Sequence, residues 1–229
     1  MHLLITCEHG GNQIPFRWQP LFEDAKKALN SHRGFDPGAL ELAKEIAKKF
    51  KAPLIASTTS RLLVELNRSL HHPKLFSSWT HQLPPSDKEA ILKKIYFPYR
   101  TQVEQAIASN IPLIHLSIHS FTPELEGKIR QADIGLLYDP RRAREKQFAN
   151  AWKQALKAGG SSRLKIRANY PYLGKADGFT TFLRTKWKDS SYIGIELEIN
   201  QKMVHSSKQE WQKFKQTILE SLCGLIELN

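Results

Sequence analysis

The stretch PLIHLSIH, residues 112–119, is a short apolar segment that ends in a histidine. Its length and its isoleucine and leucine content favour a buried strand. Other short apolar runs recur along the chain, and longer segments with apolar residues at helical spacing separate them. This alternation predicts an α/β fold with a mostly parallel or mixed central sheet and helices on both of its faces.

Approximate bounds follow for each predicted element. The strands are expected at residues 2–7, 53–58, 62–66, 112–119, 133–139, 163–169 and 192–199. The helices are expected at residues 35–50, 86–109, 141–159 and 207–227. Asp36 is the expected N-cap of the first helix because Pro37 follows at its first position, and Pro98 is expected to kink the second helix. Since no repeat or linker interrupts the chain, residues 1–229 are predicted to form one domain.

The composition limits the classes of function. The chain carries a formal net charge of +12, which suits nucleic acid, acidic membranes or small anions as partners. Its basic residues are spread along amphipathic segments and form no block, so we expect a small anionic partner and no nucleic acid. No apolar run approaches the ~20 residues that span a bilayer, so no membrane association is expected. Two distant cysteines, Cys7 and Cys223, indicate a reducing compartment such as the cytoplasm.

Ionisable side chains stand where several predicted strands end. His9 follows the first strand, and His119 ends the strand quoted above. Glu196 and Glu198 lie on one face of the last strand. Because working groups gather at the C-terminal edge of such sheets, these side chains are expected to meet there and to suit a zinc site. The alternatives are structural histidines and a solvent-facing edge strand.

The segment VELNRS, residues 64–69, ends an apolar run with an amide beside a guanidinium. Arginine gives a planar, bidentate grip on a carboxylate, and asparagine adds a neutral donor. Asn67 and Arg68 are therefore candidates for binding an anionic substrate. The alternative is an ordinary turn that carries a surface ion pair.

The order of these parts resembles that of the zinc carboxypeptidase and aspartoacylase-like superfamily, and the chain resembles more closely the N-formylglutamate amidohydrolase family within it. The segments that carry the resemblance are CEHGGNQIP (7–15), HRGFDPGA (32–39), SRLLVELNRS (60–69), LIHLSIHSF (113–121), DIGLLYDPRR (133–142), NYPYLGKADGFTTFLR (169–184) and GIELEINQ (194–201). The resemblance implies a zinc-exopeptidase-like, phosphorylase/hydrolase-like fold. It also implies an enzyme that hydrolyses the amide bond of a small N-acyl amino acid such as N-formylglutamate.

The resemblance further implies which residues carry the chemistry. His9 and His119 would bind Zn²⁺ or another divalent metal. Glu198 would act as the base that activates water, and Arg61 would stabilise the oxyanion.

A second group of residues would bind the substrate. Asn67 and Arg68 would hold its α-carboxylate. Tyr172 would fold over the substrate or donate a hydrogen bond to it. Arg130 and Arg184 are alternative partners for a side-chain carboxylate, and the sequence does not choose between them.

One position departs from the superfamily pattern. Carboxypeptidases take their third zinc ligand from a glutamate three positions after the first histidine, and here Asn12 stands at that position. An amide is a poor zinc ligand, so another carboxylate must replace it. Asp36 is the first choice and Glu8 the second, although the N-cap role expected for Asp36 competes with ligation.

Two other functions stay open at the level of sequence. A zinc carboxypeptidase or deacylase with a larger acyl or peptidic substrate would use the same residues. A non-catalytic basic module that binds anions or nucleic acid would have a degenerate site without metal. The sequence does not determine the acyl group, the preferred side chain or the oligomeric state.

Overall fold

A six-stranded sheet forms the centre of the computed structural model, which describes residues 1–158 and 164–226. The strands of the sheet and of a small separate hairpin (β4 and β5) are β1 His2–Cys7, β2 Leu54–Ala56, β3 Leu113–Phe121, β4 Glu124–Leu125, β5 Lys128–Ile129, β6 Ile134–Leu137, β7 Ile166–Ala168 and β8 Tyr192–Asn200. The order in the sheet is β2-β1-β3-β8-β6-β7. Strands β2, β1, β3 and β8 are parallel, whereas β6 runs antiparallel to β8 and parallel to β7. The predicted α/β fold with a mixed sheet is confirmed.

Helices cover both faces of this sheet. They are α1 Lys26–Leu29, α2 Ala39–Phe50, α3 Pro85–Ile91, α4 Phe97–Ala108, α5 Ala143–Ala158, α6 Phe179–Lys186, α7 Gln201–Val204 and α8 Lys208–Ile226, with a 3₁₀ helix at Phe16–Phe22 and a π-helical turn at Leu92–Tyr96. The predicted residues 159, 163 and 227 lie outside the described residues. Among the described helices, none combines the length and the apolar character needed to cross a membrane.

One face of the sheet is apolar throughout. Helices α2, α5 and α8 pack on it, and its central strands contribute Leu116, Ile118, Ile195 and Leu197, each fully buried. This continuous packing is the larger of two hydrophobic clusters, and burial of such side chains is the main force that stabilises the fold.

The opposite face changes from apolar to ionisable along the strands. At the N-terminal end, Leu113 lies beside Tyr192 and joins the second hydrophobic cluster under α4 and α6. Four residues after Leu113 on the same face, Ser117 lies beside Glu196. Two residues further along, His119 lies beside Glu198. Side chains alternate between faces with period two, so this polar set belongs entirely to one side of the sheet.

Three local predictions were wrong or need correction. Residues 62–66 form turns and not a strand; their apolar side chains still pack into the second cluster, which explains the strand-like pattern. Helix α2 begins at Ala39 after Gly38, whose φ of 77° breaks the helical path, so Asp36 is not its N-cap. The single helix expected over 86–109 is divided into α3, a π-helical turn and α4, and Pro98 lies in the first turn of α4, next to this interruption.

Candidate active site

A cavity of about 250 Å³ lies at the C-terminal ends of β1, β3 and β8. Its lining contains the first-choice residues for catalysis, substrate binding and metal binding: His9, Asp36, Arg61, Asn67, Arg68, His119, Tyr172 and Glu198. The alternatives Glu8, Arg130 and Arg184 do not line it. Residues from six separate segments thus converge on one place, as expected for the C-terminal edge of a parallel sheet.

His9, Asp36 and His119 form a compact buried group. The Oδ2 atom of Asp36 lies 3.2 Å from Nδ1 of His9 and 3.0 Å from Nδ1 of His119. The two imidazole rings have centroids 5.0 Å apart. In the described parts of the chain, this is the one group whose ligand atoms, all within 4.8 Å of one another, could hold a metal ion.

The outer nitrogens of both histidines contact further carboxylates. Nε2 of His9 is held in a short contact with Oε1 of Glu65. Nε2 of His119 lies 3.2 Å from Oε2 of Glu8 and 2.9 Å from Oγ of Ser117. These contacts fix both rings with Nδ1 toward Asp36, the arrangement in which outer carboxylates orient metal-binding histidines. Glu8 therefore lies behind His119, and the third position of the group belongs to Asp36.

The charges of this network support one another. Burial alone would lower the pKa of His119, but its contacts with Asp36 and Glu8 raise the pKa well above the usual value. Burial would likewise raise the pKa of Asp36, yet His9, His119 and Arg61 hold it far below the ordinary range. Because a metal ion binds neutral imidazoles and ionised carboxylates, a cation bound here would displace any proton held by either imidazole.

Asp36 reaches the histidines because its loop is attached to the end of β1. Its N–H donates to the carbonyl of His9 at 2.9 Å. Close packing beyond His9 also depends on Gly11, where an added Cβ would lie 2.6 Å from the carbonyl oxygen of Thr58. Asn12, which occupies the position of the usual third ligand, instead donates to Asn30 at 2.8 Å outside the cavity.

Glu198 is the one acidic group of the cavity, among the described residues, with a buried oxygen that has no hydrogen-bond partner. Its Oε2 is buried and has no hydrogen-bond partner among the described residues. Burial, with the nearby charges of Asp36 and Glu196, raises the pKa of Glu198 to about 8. A carboxyl with a pKa near neutrality is suited to accept and return a proton. The alternative of a solvent-facing edge strand is wrong, since β8 lies inside the sheet and is buried throughout.

Glu196 has a different environment from Glu198, although both side chains lie on the same face of β8. The hydroxyl of Thr180, at the start of α6, donates to Oε1 of Glu196 in a short contact. Glu196 lines the cavity but is engaged there, which leaves Glu198 as the carboxyl available to a reacting molecule.

Arg61 bridges two carboxylates of the site. Its NH1 donates to Oδ1 of Asp36 at 3.1 Å, and its Nε donates to Oε2 of Glu65 at 2.8 Å. About a quarter of the side chain is exposed toward the cavity (28%). The guanidinium is thus fixed in direction beside the proposed metal group and is available to a developing negative charge.

Asn67 and Arg68 lie at the rim of the cavity on a turn that is tied to the start of α6. Oδ1 of Asn67 accepts the N–H of Phe179 at 2.6 Å, which leaves the amide NH₂ as the donor of that side chain. Arg68 donates to the carbonyl of Asp177, and the N–H of Ser69 donates to the Asp177 carboxylate at 3.1 Å. The turn presents two donors side by side.

The structure separates the two arginines that were alternatives for a side-chain carboxylate. Arg184 is engaged by both oxygens of Glu145 at 3.0 Å and by the carbonyls of Gly174 and Gly194, so it supports the fold. The Arg130 guanidinium lies 5.1 Å from the ring centre of Tyr172, and its buried NH1 has no partner among the described residues. Of these two arginines, Arg130 is therefore the one with an unpartnered donor, and it packs against Tyr172, which lines the cavity.

Glu65 is the site residue that sequence reasoning missed. It contacts His9, Arg61 and, through the Asn67 N–H at 3.1 Å, the turn that carries the carboxylate-binding pair. The available signal was a glutamate inside an apolar run, four residues after an arginine. The run was interpreted as a strand interior, so this buried acid received no role.

Known proteins resemble the chain in sequence and in fold. A solved structure, gene product Atu2144 from Agrobacterium tumefaciens, has 26% sequence identity and a TM-score of 0.80, and the alignment covers 97% of this chain and 91% of that chain. Other solved structures are more distant, with TM-scores below 0.5, and two of them serve as examples. An N-acetylmuramoyl-L-alanine amidase from Clostridium difficile 630 has 11% identity, a TM-score of 0.47 and coverage of 99% of this chain and 97% of that one. A metallo-carboxypeptidase from Pseudomonas aeruginosa has 16% identity, a TM-score of 0.45 and coverage of 99% and 57%.

No curated protein sequence matches the chain at a significant level. A family model does match: the model described as N-formylglutamate amidohydrolase aligns with residues 1–205. That range includes every residue of the cavity described above. The resemblance seen in the sequence is confirmed, and the chain belongs to the N-formylglutamate amidohydrolase family.

Proposed function

We propose that this member of the family is a metal-dependent hydrolase of small N-acyl amino acids of the N-formylglutamate type. The observation that carries the proposal is the content of one cavity of about 250 Å³: two imidazoles and a carboxylate converge there with an Asn–Arg pair and an unpartnered glutamate. The small volume favours a small substrate over a peptide or a large acyl group.

The donor set fits a divalent cation, most naturally zinc. Nδ1 of His9, Nδ1 of His119 and a carboxylate oxygen of Asp36 are the nitrogen and oxygen ligands typical of catalytic zinc. Outer carboxylates already hold both rings in the required orientation. When bound, such an ion would polarise the amide carbonyl and lower the pKa of a water molecule.

The protein side chains supply the remaining steps of hydrolysis. Asn67 and Arg68 bind the substrate carboxylate and thereby fix the position of the amide bond. Glu198 accepts the proton that water loses on attack at the carbonyl carbon, and Arg61 stabilises the negative charge that forms on the carbonyl oxygen. Glu198 then delivers the proton to the departing nitrogen as the C–N bond breaks, giving a carboxylic acid and an amino acid.

A side-chain carboxylate of the substrate would bind Arg130. Its unpartnered NH1 lies behind Tyr172, so movement of this half-exposed tyrosine would expose the donor to the cavity. The Arg130→Met variant should raise KM for N-formylglutamate and leave KM for N-formylalanine nearly unchanged. Equal changes in KM for both substrates would show that Arg130 only holds Tyr172 in place and does not bind the side-chain carboxylate.

A substrate panel with defined metals tests the proposal as a whole. Purified protein is stripped with a chelator, reloaded with Zn²⁺, and assayed against N-formyl, N-acetyl and N-succinyl amino acids and dipeptides. We expect hydrolysis of N-formyl or other short N-acyl amino acids that disappears on chelation and returns with metal. Preference for dipeptides or long acyl groups would favour a carboxypeptidase or deacylase. No hydrolysis and no bound metal would overturn the proposal.

A further inference from the structure

The turn with Asn67 and Arg68 is held from behind by a buried arginine of helix α4. Arg100 is only 6% exposed. Its NH1 lies 3.1 Å from the carbonyl oxygen of Leu66 and 3.4 Å from that of Arg68. These carbonyls belong to the peptide unit that precedes Asn67 and to the one that follows Arg68, so one guanidinium holds the backbone on either side of the Asn67–Arg68 pair.

The surroundings of Arg100 are unusual for a buried charge. Its guanidinium carbon lies 4.1 Å from the ring centre of Phe179, 4.5 Å from that of Phe182 and 4.9 Å from that of Tyr96. Among the described residues, no carboxylate lies within ion-pair distance of it. Aromatic faces and carbonyl oxygens thus offset the cost of burying this cation, which would otherwise be high.

The aromatic residues around Arg100 also contact the turn. The hydroxyl of Tyr96 donates to the carbonyl of Arg68 at 2.7 Å. Phe179, which packs on the guanidinium, donates its N–H to Oδ1 of Asn67 at 2.6 Å. Arg100 therefore lies between the backbone of the turn and the helix that orients the Asn67 side chain.

We propose that Arg100 is a positioning residue for substrate binding: it sets the direction of the Asn67 and Arg68 donors through the Leu66 and Arg68 carbonyls and does not itself touch substrate. The inference rests on the proposed function for its kinetic consequence. The claim that Arg100 holds residues 66–68 in place depends only on its hydrogen bonds to the Leu66 and Arg68 carbonyls. An arginine that only filled space would affect all substrates and all parts of the fold alike.

The test compares substrates with and without the carboxylate that the turn would bind. Arg100→Met keeps the approximate volume but removes the charge and the donors, and Arg100→Lys keeps the charge without the planar stacking. For Arg100→Met, we expect kcat/KM to fall at least tenfold for an N-formyl amino acid, mainly through KM. For the matching α-carboxamide the loss should be less than threefold, and Arg100→Lys should be intermediate for the acid.

Arg142 offers a matched control at the other end of the sheet. It also donates to two backbone carbonyls, that of Trp187 after α6 at 3.2 Å and that of Tyr192 at the start of β8 at 2.7 Å, and it differs from Arg100 in being paired with Glu145. Arg142→Met should leave the ratio of acid to carboxamide hydrolysis unchanged. Equal losses for acid and carboxamide in Arg100→Met would overturn the positioning role.

Amide hydrogen exchange gives a readout that does not depend on turnover. Exchange of the peptide covering residues 62–69 should accelerate in Arg100→Met and stay unchanged in Arg142→Met. If the wild-type protein hydrolyses no substrate, the proposed function fails while this exchange pattern still supports the fixing of the turn. Unchanged exchange at residues 62–69 in Arg100→Met would overturn the inference whether or not the enzyme is active.

Discussion

The two faces of β3 and β8 differ in chemistry although they share the same backbone. On one face, Leu197 is completely buried under the helices α2, α5 and α8. On the other face, its neighbour Glu198 is buried nearly as deeply, with 5% exposed, but it lies at the cavity. One-residue alternation therefore separates the residues that stabilise the fold from those that carry the chemistry.

The polar face is stabilised in a different way from the apolar face. His119 contacts two carboxylates, and Arg61 contacts two more oxygens of the same network, so most buried charges there are paired. Glu198 is the exception because one of its oxygens has no partner among the described residues. The comparison predicts that Glu198 is needed for turnover and that, when ionised, it also lowers the stability of the folded protein.

The largest expected effect is on turnover. The Glu198→Gln variant keeps the shape of the side chain but loses the proton-accepting oxygen, so kcat should fall ~10²–10⁴-fold. Metal content by elemental analysis should stay at the wild-type level, because Glu198 is outside the His9, Asp36 and His119 group. Wild-type kcat in this variant would remove Glu198 from the role of base.

The neighbouring position should give the opposite result. Leu197→Ala leaves a cavity under the helices, and such truncations cost about 2–5 kcal/mol of unfolding free energy. Because the alanine lies on the apolar face, kcat of the folded fraction should stay close to the wild-type value. Chemical denaturation and active-site-normalised kinetics measure the two quantities separately. A loss of kcat without a loss of stability would break the division between the faces.

The third prediction concerns pH and the cost of Glu198 itself. In the metal-free protein the folded state holds this carboxyl at a pKa of about 8, against an ordinary value of 4.5. The folded state therefore binds the proton more tightly, and this contribution to stability is present at low pH and is lost as pH rises from about 4.5 through 8.

Glu198→Gln cannot ionise, so its stability should not show this loss. One pKa unit corresponds to about 1.4 kcal/mol, so we expect the variant to be more stable than the metal-free wild type by at most about 5 kcal/mol at pH 9, with little difference at pH 4. Urea denaturation across this range provides the measurement. Parallel curves for the two proteins at all pH values would show that Glu198 is not held protonated.

Most strands of the sheet and most residues of the site could be predicted from the sequence. β3 and β8 are buried strands whose ends carry ionisable residues, and parallel pairing of neighbours brings those ends together. His9, His119 and Glu198 therefore converge as expected. Their convergence depends on alternation, which local patterns specify, and on the adjacency of β1, β3 and β8, which local patterns do not specify.

The rest depended on contacts between residues distant in sequence. Glu65 lies in an apolar run that has the pattern of a buried strand but forms turns. Its contact with His9, 56 residues away, is visible only in the folded structure. The N-cap expected for Asp36 failed because the left-handed conformation of Gly38 delays the helix. Arg100 lies within a predicted helix, and nothing local in the sequence indicates that it faces the carbonyls of Leu66 and Arg68.

The smallest expected effect tests how the polar face orients its histidines. Glu65 contacts Nε2 of His9, and Glu8 contacts Nε2 of His119. Replacing either carboxylate by an amide weakens the hold on the ring and lowers its basicity, so Zn²⁺ affinity should fall ~10–100-fold in Glu65→Gln and in Glu8→Gln. Competition with a chromophoric chelator at fixed pH measures this affinity without any assay of activity.

Glu196→Gln is the matched control for these two variants. It removes the same charge from the same face of the sheet, but Glu196 contacts Thr180 and neither histidine. Its Zn²⁺ affinity should therefore fall by less than in Glu65→Gln, because Glu196 makes no direct contact with either imidazole ring. If Glu196→Gln weakened zinc binding as strongly as Glu65→Gln, the effect would come from net charge, and the outer carboxylates would have no specific part in orienting the rings.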